Sequence, residues 1–194
     1  MTVEDKKRGR PQKDKQALSK ELIINVAKQM MLNNKKVPSI RAISTALNVD
    51  AMALYYYFKN KSVLLEEITT SLISDIYEPT GSDDWESELI ELSKSYLTIL
   101  YKYDGLLKTL LSMSSDSPAD VFIGRFSFIV NPLSLEKSQE KAFLDLLVDY
   151  LHGFSMALAC NSTQALALDD IEPPLALLFQ GVVLQKKTVA NGCR

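Results

Sequence analysis

The chain has 194 residues, of which 46% are hydrophobic and 24% charged, and its mean hydropathy is −0.02. This composition predicts a soluble globular protein of one or two domains and excludes a largely disordered chain. Residues 1–62 carry 13 basic and 5 acidic side chains, whereas residues 63–194 carry 9 basic and 19 acidic ones. A basic segment beside an acidic one favours a polyanionic partner at the N-terminal end, although a solvated basic tail is the alternative interpretation.

Several classes of enzyme are excluded by the residues that the chain lacks. Its seven glycines are too far apart for a glycine-rich phosphate loop or a dinucleotide fingerprint, and His152 is the only histidine, so a paired-histidine zinc site is absent. Cys160 and Cys193 are too few for a disulfide scaffold and form no metal motif by themselves, which favours reduced thiols. We therefore expect no catalytic residues, no metal and no cofactor, with a helical enzyme that uses carboxylates as the remaining alternative.

The sequence shows no feature of membrane insertion or secretion. No uninterrupted apolar run approaches the roughly 18 residues of a membrane helix, and the first 17 residues are mostly polar. These observations predict a cytoplasmic protein without membrane contact.

Helical periodicity begins near residue 19 and dominates from there. Apolar residues that recur at three and four positions predict a first helix over residues 19–33, with Ser19 as its N-cap. Ser39 is placed to cap a second, short helix that ends near Leu47. Both helices are amphipathic, so each is expected to bury one face.

A tight turn and a third helix follow. Asn48 tolerates the left-handed conformation of such a turn, and Asp50 can cap a helix that runs through residues 55–58. Leu54 and Phe58 stand four apart and are predicted to be buried. The face opposite to them is predicted to be presented to a partner and consists of Ala51, Met52, Tyr55 and Tyr56.

The rest of the chain is also predicted to be helical. Asn60 caps a fourth helix that is broken at Pro79, and Asp83 opens a fifth helix that extends to Tyr103. Two shorter helices near 106–113 and 118–130 come next.

A long helix over about 134–160 and a last helix that begins with Glu172 complete the chain. The wide apolar arc of the long helix predicts burial on two sides, by its own core and by a second subunit. Gly153 and Gly181 would allow these two helices to approach each other closely. The predicted fold class is all-α.

Residues 38–65 read PSIRAISTALNVDAMALYYYFKNKSVLL, and this stretch resembles the helix-turn-helix of the tetracycline-repressor (TetR) family. In that family a Ser or Thr opens the second helix, an Arg follows two residues later, and the turn is Leu-Gly-Val. The third helix ends in Leu-Tyr-x-His-Phe, and a Lys follows three residues on. The matching residues here are Ser39, Arg41, Leu47, Val49, Leu54, Tyr55, Phe58 and Lys61. The chain departs from the pattern at Asn48 and Tyr57, where the family usually has Gly and His.

The resemblance, which covers about residues 19–66, implies an interface with double-stranded DNA. It implies that Ser39 and Lys61 bind phosphates, that Arg41 reaches a base or a phosphate, and that Tyr55 anchors the backbone. Tyr57 is expected to donate to a phosphate in place of the usual His. The residues that would face the major groove are Ala51, Met52, Ala53 and Tyr56.

The N-terminal arm resembles the Arg-Gly-Arg-Pro core of a minor-groove hook. Arg8 and Arg10 would lie in a narrow A·T groove in that case, and a solvated tail is the alternative.

The resemblance also implies that the chain consists of three functional segments. It implies a basic arm over residues 1–18, a helix-turn-helix domain over 19–62, and a helical effector-binding and dimerisation domain over 63–194. The expected function is that of a homodimeric repressor that a small-molecule effector releases from a palindromic operator. A non-specific or architectural nucleic-acid-binding protein is the main alternative.

Two sets of residues in the C-terminal domain are predicted to serve this function. The candidate ligand-binding residues are Tyr96, Tyr101, Met113, Phe126, His152 and Met156, and an ordinary core position is the favoured alternative for His152. The candidate dimer-interface residues are Leu144, Val148, Leu151, Leu178 and Val182. Tetracycline-binding members of the family hold a metal-drug chelate partly through a His after the fifth helix. Residues 106–113 contain no His, so a metal-dependent drug is not expected.

Overall fold

The structure is a computed structural model that describes residues 17–113, 116–160 and 166–192, with side chains described as far as residue 185. Within these ranges the chain is helical and has no strand, which confirms the predicted all-α class. The helices are α1 (Lys20–Asn34), α2 (Ile40–Leu47), α3 (Ala51–Tyr57), α4 (Lys61–Ile73), α5 (Trp85–Lys102), α6 (Leu106–Ser112), α7 (Ser117–Val130), α8 (Lys137–Ala159) and α9 (Glu172–Gly192).

The first four helices begin at the predicted capping residues. The side chains of Ser19 and Ser39 each accept a hydrogen bond of 3.1 Å from the backbone N–H three residues later. Asp50 accepts one of 2.7 Å from the second residue of α3, and Asn60 one of 2.9 Å from the third residue of α4. Each cap satisfies a backbone donor that has no partner within its helix, so the four predicted starts are confirmed.

Two helix boundaries differ from the predictions. Helix α4 ends at Ile73, well before Pro79, although Ile76 beyond its end remains buried. Helix α5 is capped by Asp84, which accepts a hydrogen bond from the N–H of Ser87, so the prediction of Asp83 was wrong by one residue.

The beginning of α8 also lies later than predicted. A short 3₁₀ turn over Asn131–Leu133 precedes it, and Ser134 adopts a left-handed conformation with a φ of 48°. The capping residue is Glu136, whose backbone N–H donates to the side chain of Gln139. The left-handed residue cannot belong to a right-handed helix, so the helix begins only at Lys137.

The core is continuous from α1 to α9. Ile23, Ile43 and Leu54 are buried where α1, α2 and α3 meet, and α4 packs against both α1 and α7. Aromatic side chains form the centre of the C-terminal part, where the ring of Trp85 packs edge-on against those of Phe143 and Phe179. Helix α4 therefore connects the first three helices to the rest of the protein.

Gly153 and Gly181 do not serve the predicted close approach of α8 and α9. A methyl group at either position would meet no heavy atom within 4 Å. Both glycines are exposed, so that prediction was wrong for contacts within the chain.

Candidate DNA-binding interface and ligand cavity

Helices α2 and α3 form a helix-turn-helix. Asn48 adopts the left-handed conformation with a φ of 54° and a ψ of 46°, as its type permits at a tight turn. The backbone N–H groups of Asn48 and Val49 donate to the carbonyls of Thr45 and Ser44 at 3.1 and 3.0 Å. These bonds close the end of α2 and fix the direction in which α3 leaves the turn.

Helix α3 presents one face to solvent. Leu54 is buried, as is Phe58 just beyond the helix, whereas Tyr56 is 87% exposed and Met52 is 72% exposed. Tyr55 is also exposed, and Ala51 and Ala53 are half-buried. The structure thus separates a buried face from an exposed one as the spacing predicts, with Ala51 closer to the core than expected.

The predicted phosphate-binding side chains lie around α3. Ser39 and Arg41 are exposed at the start of α2, and Lys61 is exposed at the first position of α4. The Oγ atom of Ser39 already accepts the capping bond, which leaves its hydroxyl proton to donate. Lys36 and Lys59, which sequence reasoning did not single out, are also exposed, Lys36 just before α2 and Lys59 just after α3.

Tyr57 occupies a different environment from the one predicted. Its hydroxyl lies 2.5 Å from the carbonyl oxygen of Leu18 and donates to it, and the side chain is half-buried. Because a phenol has one proton to donate, this bond takes the donor that a phosphate would need. The prediction that Tyr57 donates to a phosphate is therefore corrected: the residue fastens α3 to the segment before α1. Arg8 and Arg10 lie outside the described residues.

A cavity of about 410 Å³ lies among α4, α5, α6, α7 and α8. This volume falls in the range of about 300–1,000 Å³ that is common for small-molecule sites. Its lining is mainly apolar and aromatic and consists of Ile73, Tyr96, Leu110, Leu111, Pro118, Ala119, Phe122, Ile123, Leu144, Asp145, Val148, Asp149 and His152.

One side of the cavity carries its polar groups. The hydroxyl of Tyr96 and the Nε2 atom of His152 are 2.9 Å apart and share a hydrogen bond. Burial raises the pKa of Tyr96 and lowers that of His152, although the carboxylate of Asp149 acts in the opposite direction on His152. Both rings are therefore neutral near pH 7, and His152 is neither an isolated core residue nor a charged one.

The structure brings only some of the predicted ligand-binding residues together. Tyr96 and His152 line the cavity, whereas Phe126 is fully buried in the core. Met156 and Tyr101 are exposed outside the cavity. Met113 directly follows α6 and does not line the cavity. The remaining lining residues were missed because helical spacing alone does not show which neighbour covers a given apolar face.

The end of α4 contacts both the cavity and the first three helices. Arg125 of α7 donates to the carbonyls of Ile76 and Ser74, at 2.8 and 3.1 Å. Lys28 of α1 donates to the carbonyl of Ser71, at 3.1 Å, and pairs with Asp75 at 2.7 Å. The last residue of α4 is Ile73, which lines the cavity, so α4 contacts both the cavity and α1.

The predicted dimer-interface residues fall into three environments. Leu151 is fully buried within the chain, and Leu144 and Val148 line the cavity. Leu178 and Val182 line a groove between α8 and α9. Leu151 is thus corrected to a core residue, because a side chain with no exposed surface is not available to a second subunit.

Other apolar side chains of α8 and α9 are exposed. Leu146 of α8 is 59% exposed and Leu177 of α9 is 71% exposed, and both lie on the same groove. By length and composition α8 is apolar enough to cross a membrane, since an 18-residue window has a mean hydropathy of 1.3 and is 17% buried. A single helix of this kind is weak support for a membrane span. An exposed apolar face of this kind is also typical of a protein-protein interface.

Comparisons with known proteins give a local sequence match and, among solved structures, matches of the whole fold. No protein-family model matches the chain. A region of 66 residues, 32% of the chain, is 32% identical to the tetracycline repressor protein class A from transposon 1721 of Escherichia coli. The matched region spans 31% of that relative's length.

Solved structures match over nearly the whole chain. Apo ActR from Streptomyces coelicolor covers 89% of the chain and 98% of its own, with a TM-score of 0.76 and 13% identity. BioQ with its double-stranded DNA operator covers 85% and 98%, with a TM-score of 0.68 and 16% identity. A TetR variant from Acinetobacter baumannii AYE in complex with minocycline covers 87% and 98%, with a TM-score of 0.69 and 18% identity.

The fold is that of two-domain, all-helical regulators with an N-terminal helix-turn-helix. More particularly, it is the fold of TetR-family proteins, and both the predicted fold class and the predicted resemblance are confirmed. Proteins of that family are DNA-binding transcription regulators.

Proposed function

We propose that the chain is a dimeric transcriptional repressor, without enzymatic activity, which a small-molecule effector releases from a palindromic operator. The observation that carries this proposal is the exposed face of α3 at the second helix of a helix-turn-helix, where Met52 and Tyr56 project from the basic part of the chain. A face of this kind suits insertion into the major groove of DNA. We also propose the arm, DNA-binding and effector domains at residues 1–18, 19–62 and 63–194, and an action in the cytoplasm.

The chemistry of α3 supports recognition through apolar contacts and shape. Met52 and Ala53 offer methyl and thioether groups, which suit contacts with the methyl group of thymine. Arg41, Lys61 and the hydroxyl of Ser39 surround this face and suit contacts with phosphates, which set the register of the protein on the duplex. Tyr55 would anchor the backbone beside them.

A homodimer is supported by the exposed apolar face of α8 and α9. Leu146 and Leu177 lie along the groove between these helices, and covering them with a second copy removes apolar surface from water. A two-fold symmetric dimer places two copies of α3 on two half-sites when they are about 34 Å apart, which is one turn of DNA.

The cavity offers a route from effector to DNA. Ile73 lines it at the end of α4, and Lys61 lies at the other end of the same helix. A ligand that binds more tightly to a conformation with a displaced α4 would change the spacing of the two copies of α3. A difference of about 1–3 kcal/mol between the two conformations is sufficient for a switch of 5- to 150-fold.

The test is selection of bound duplexes from a random DNA pool with the purified full-length protein. We expect enrichment of one palindrome that is bound at least about 10³-fold more tightly than random DNA. A folded protein that binds DNA with a steep salt dependence but enriches no sequence would contradict the proposal and favour a non-specific nucleic-acid-binding protein.

Two matched variants locate the interface on α3. Tyr56→Ala should weaken binding to the selected duplex about tenfold or more, since it removes an exposed side chain from the proposed groove-facing surface. Tyr101→Ala is the control, because Tyr101 is 67% exposed but belongs to α5. Equal effects of the two substitutions would contradict the assignment of α3.

A further inference from the structure

The cavity has an apolar body and an acidic rim. Ile73, Leu110 and Phe122 are among the side chains that form the body, and Asp145 and Asp149 lie on the α8 side. No Lys or Arg occurs among the described residues that line the cavity. Its fixed charge is therefore negative.

The two carboxylates differ in their partners. Asp145 pairs with Lys141 at 2.5 Å on the surface of α8, and both side chains are more than half exposed. Asp149 has no ion pair or hydrogen bond with any described residue, and it is exposed at the edge of the cavity. The negative charge nearest to His152 is thus available to a ligand.

The neutral polar groups do not offset this charge. His152 is uncharged because burial disfavours its cationic form, and its Nε2 atom is already bonded to the hydroxyl of Tyr96. An anionic ligand would lose hydration on entering the cavity, would meet the unpaired carboxylate of Asp149 and would find no cation among the described lining residues. A cation would find Asp149 at the edge of a cavity whose lining includes the aromatic rings of Tyr96 and Phe122.

We infer that the ligand of this cavity is an amphiphilic organic cation, with a ring or chain that fills the apolar body and a protonated amine or quaternary ammonium group beside Asp149. This inference rests on the proposed function only where it takes the ligand of the cavity to be the effector that acts on operator binding. The class of ligand follows from the lining of the cavity and holds whether or not the protein binds an operator.

The experiment compares three probes that share one ring system and differ in charge: 2-naphthylmethylammonium, 2-naphthylmethanol and 2-naphthoate. Binding to the full-length protein is measured by isothermal titration calorimetry at about pH 7.5. We expect the cation to bind at least about tenfold more tightly than the anion. High salt should weaken binding of the cation, because its attraction to the exposed carboxylate is screened, and should leave binding of the alcohol unchanged.

Three variants test whether the preference for the cationic probe arises in the cavity. Asp149→Asn keeps the shape of the side chain and should weaken binding of the cation about three- to tenfold, with no effect on the alcohol. Asp104→Asn is the control, because Asp104 is exposed but does not line the cavity. Ala119→Trp adds bulk at an exposed lining position and should weaken binding of all three probes.

The inference is overturned if the naphthoate binds as tightly as the ammonium probe, if Asp149→Asn leaves the cation unaffected, or if Ala119→Trp leaves every probe bound. Binding of a selected palindrome together with any of these results would leave the proposed function standing and remove only the class of ligand. Binding of the cation by a protein that enriches no DNA sequence would do the reverse.

Discussion

The hydroxyl of Tyr57 lies 2.5 Å from the carbonyl oxygen of Leu18, so the last residue of α3 is fastened to the segment that leads into α1. Leu18 directly precedes Ser19, the capping residue of α1. The position at which the resembling TetR-family pattern usually has a His therefore links α3 to the start of α1 here.

Tyr57→Phe removes this bond and keeps the ring. We expect the free energy of unfolding to fall by about 1 kcal/mol, because a half-buried carbonyl loses its donor. Affinity for the selected operator should change less than about threefold, since the hydroxyl is not available to a phosphate. Urea unfolding and a DNA-binding titration measure the two effects, and a large loss of affinity with unchanged stability would contradict this role.

Leu146→Lys and Leu177→Lys place a charge on the exposed face of α8 and α9. Both side chains project from the surface of the single chain, so we expect the helical content to be retained. The proposed dimer should dissociate into monomers, because an unpaired charge would be buried in its interface. Sedimentation velocity measures the change, with Tyr101→Lys as the control for a similarly exposed position. Dimers that survive both substitutions would place the interface elsewhere.

Arg125→Met removes the guanidinium that donates to the carbonyls of Ser74 and Ile76 beyond α4. We expect a loss of about 1–3 kcal/mol in stability, because carbonyls at the end of a helix lose charged donors. We also expect a ligand of the cavity to weaken operator binding less than in the wild type. Lys137→Met is the control, since Lys137 is exposed at the start of α8. If the ligand weakens operator binding of Arg125→Met as much as that of the wild type, α4 is not positioned by this contact.

The pH dependence of stability in His152→Asn, compared with the wild type, tests the environment of His152 in the cavity. Burial lowers the pKa of His152 in the folded protein below its value of about 6.5 in the unfolded chain. The unfolded chain therefore binds more protons as the pH falls through about 6.5, so the wild type loses stability there. Tyr96 of α5 and Asp149 and Asp145 of α8 are the titratable groups around this ring.

Chemical denaturation between pH 7.5 and 5 measures the effect. The wild type should lose more stability over this interval than His152→Asn. Parallel curves for the two proteins would show that His152 titrates normally.

Much of the fold was predictable because local chemistry decides it. Ser19, Ser39, Asp50 and Asn60 cap helices in the structure as their types and positions indicate. The exposed face of α3 also follows from spacing, because Leu54 and Phe58 fix which side is buried.

The cavity and the apolar face of α8 were harder to predict. Leu144, Val148 and Leu151 share one apolar arc, yet the first two line the cavity and the third lies in the core. Periodicity shows that a residue lies on an apolar face, but the neighbour that covers it depends on how helices distant in sequence pack. For the same reason, the sequence alone did not show that Asp149 lies at the edge of the cavity.

The spacing of the two half-sites distinguishes a dimer that reads both of them from a protein that reads each one separately. After a palindrome has been selected, five base pairs are inserted between its halves, which turns one half-site to the opposite side of the duplex, given about 10–10.5 base pairs per turn. If two copies of α3 are held rigidly in one dimer, affinity should fall about 100-fold or more, to that of a single half-site. Unchanged affinity for the interrupted palindrome would contradict a dimer that reads two half-sites together.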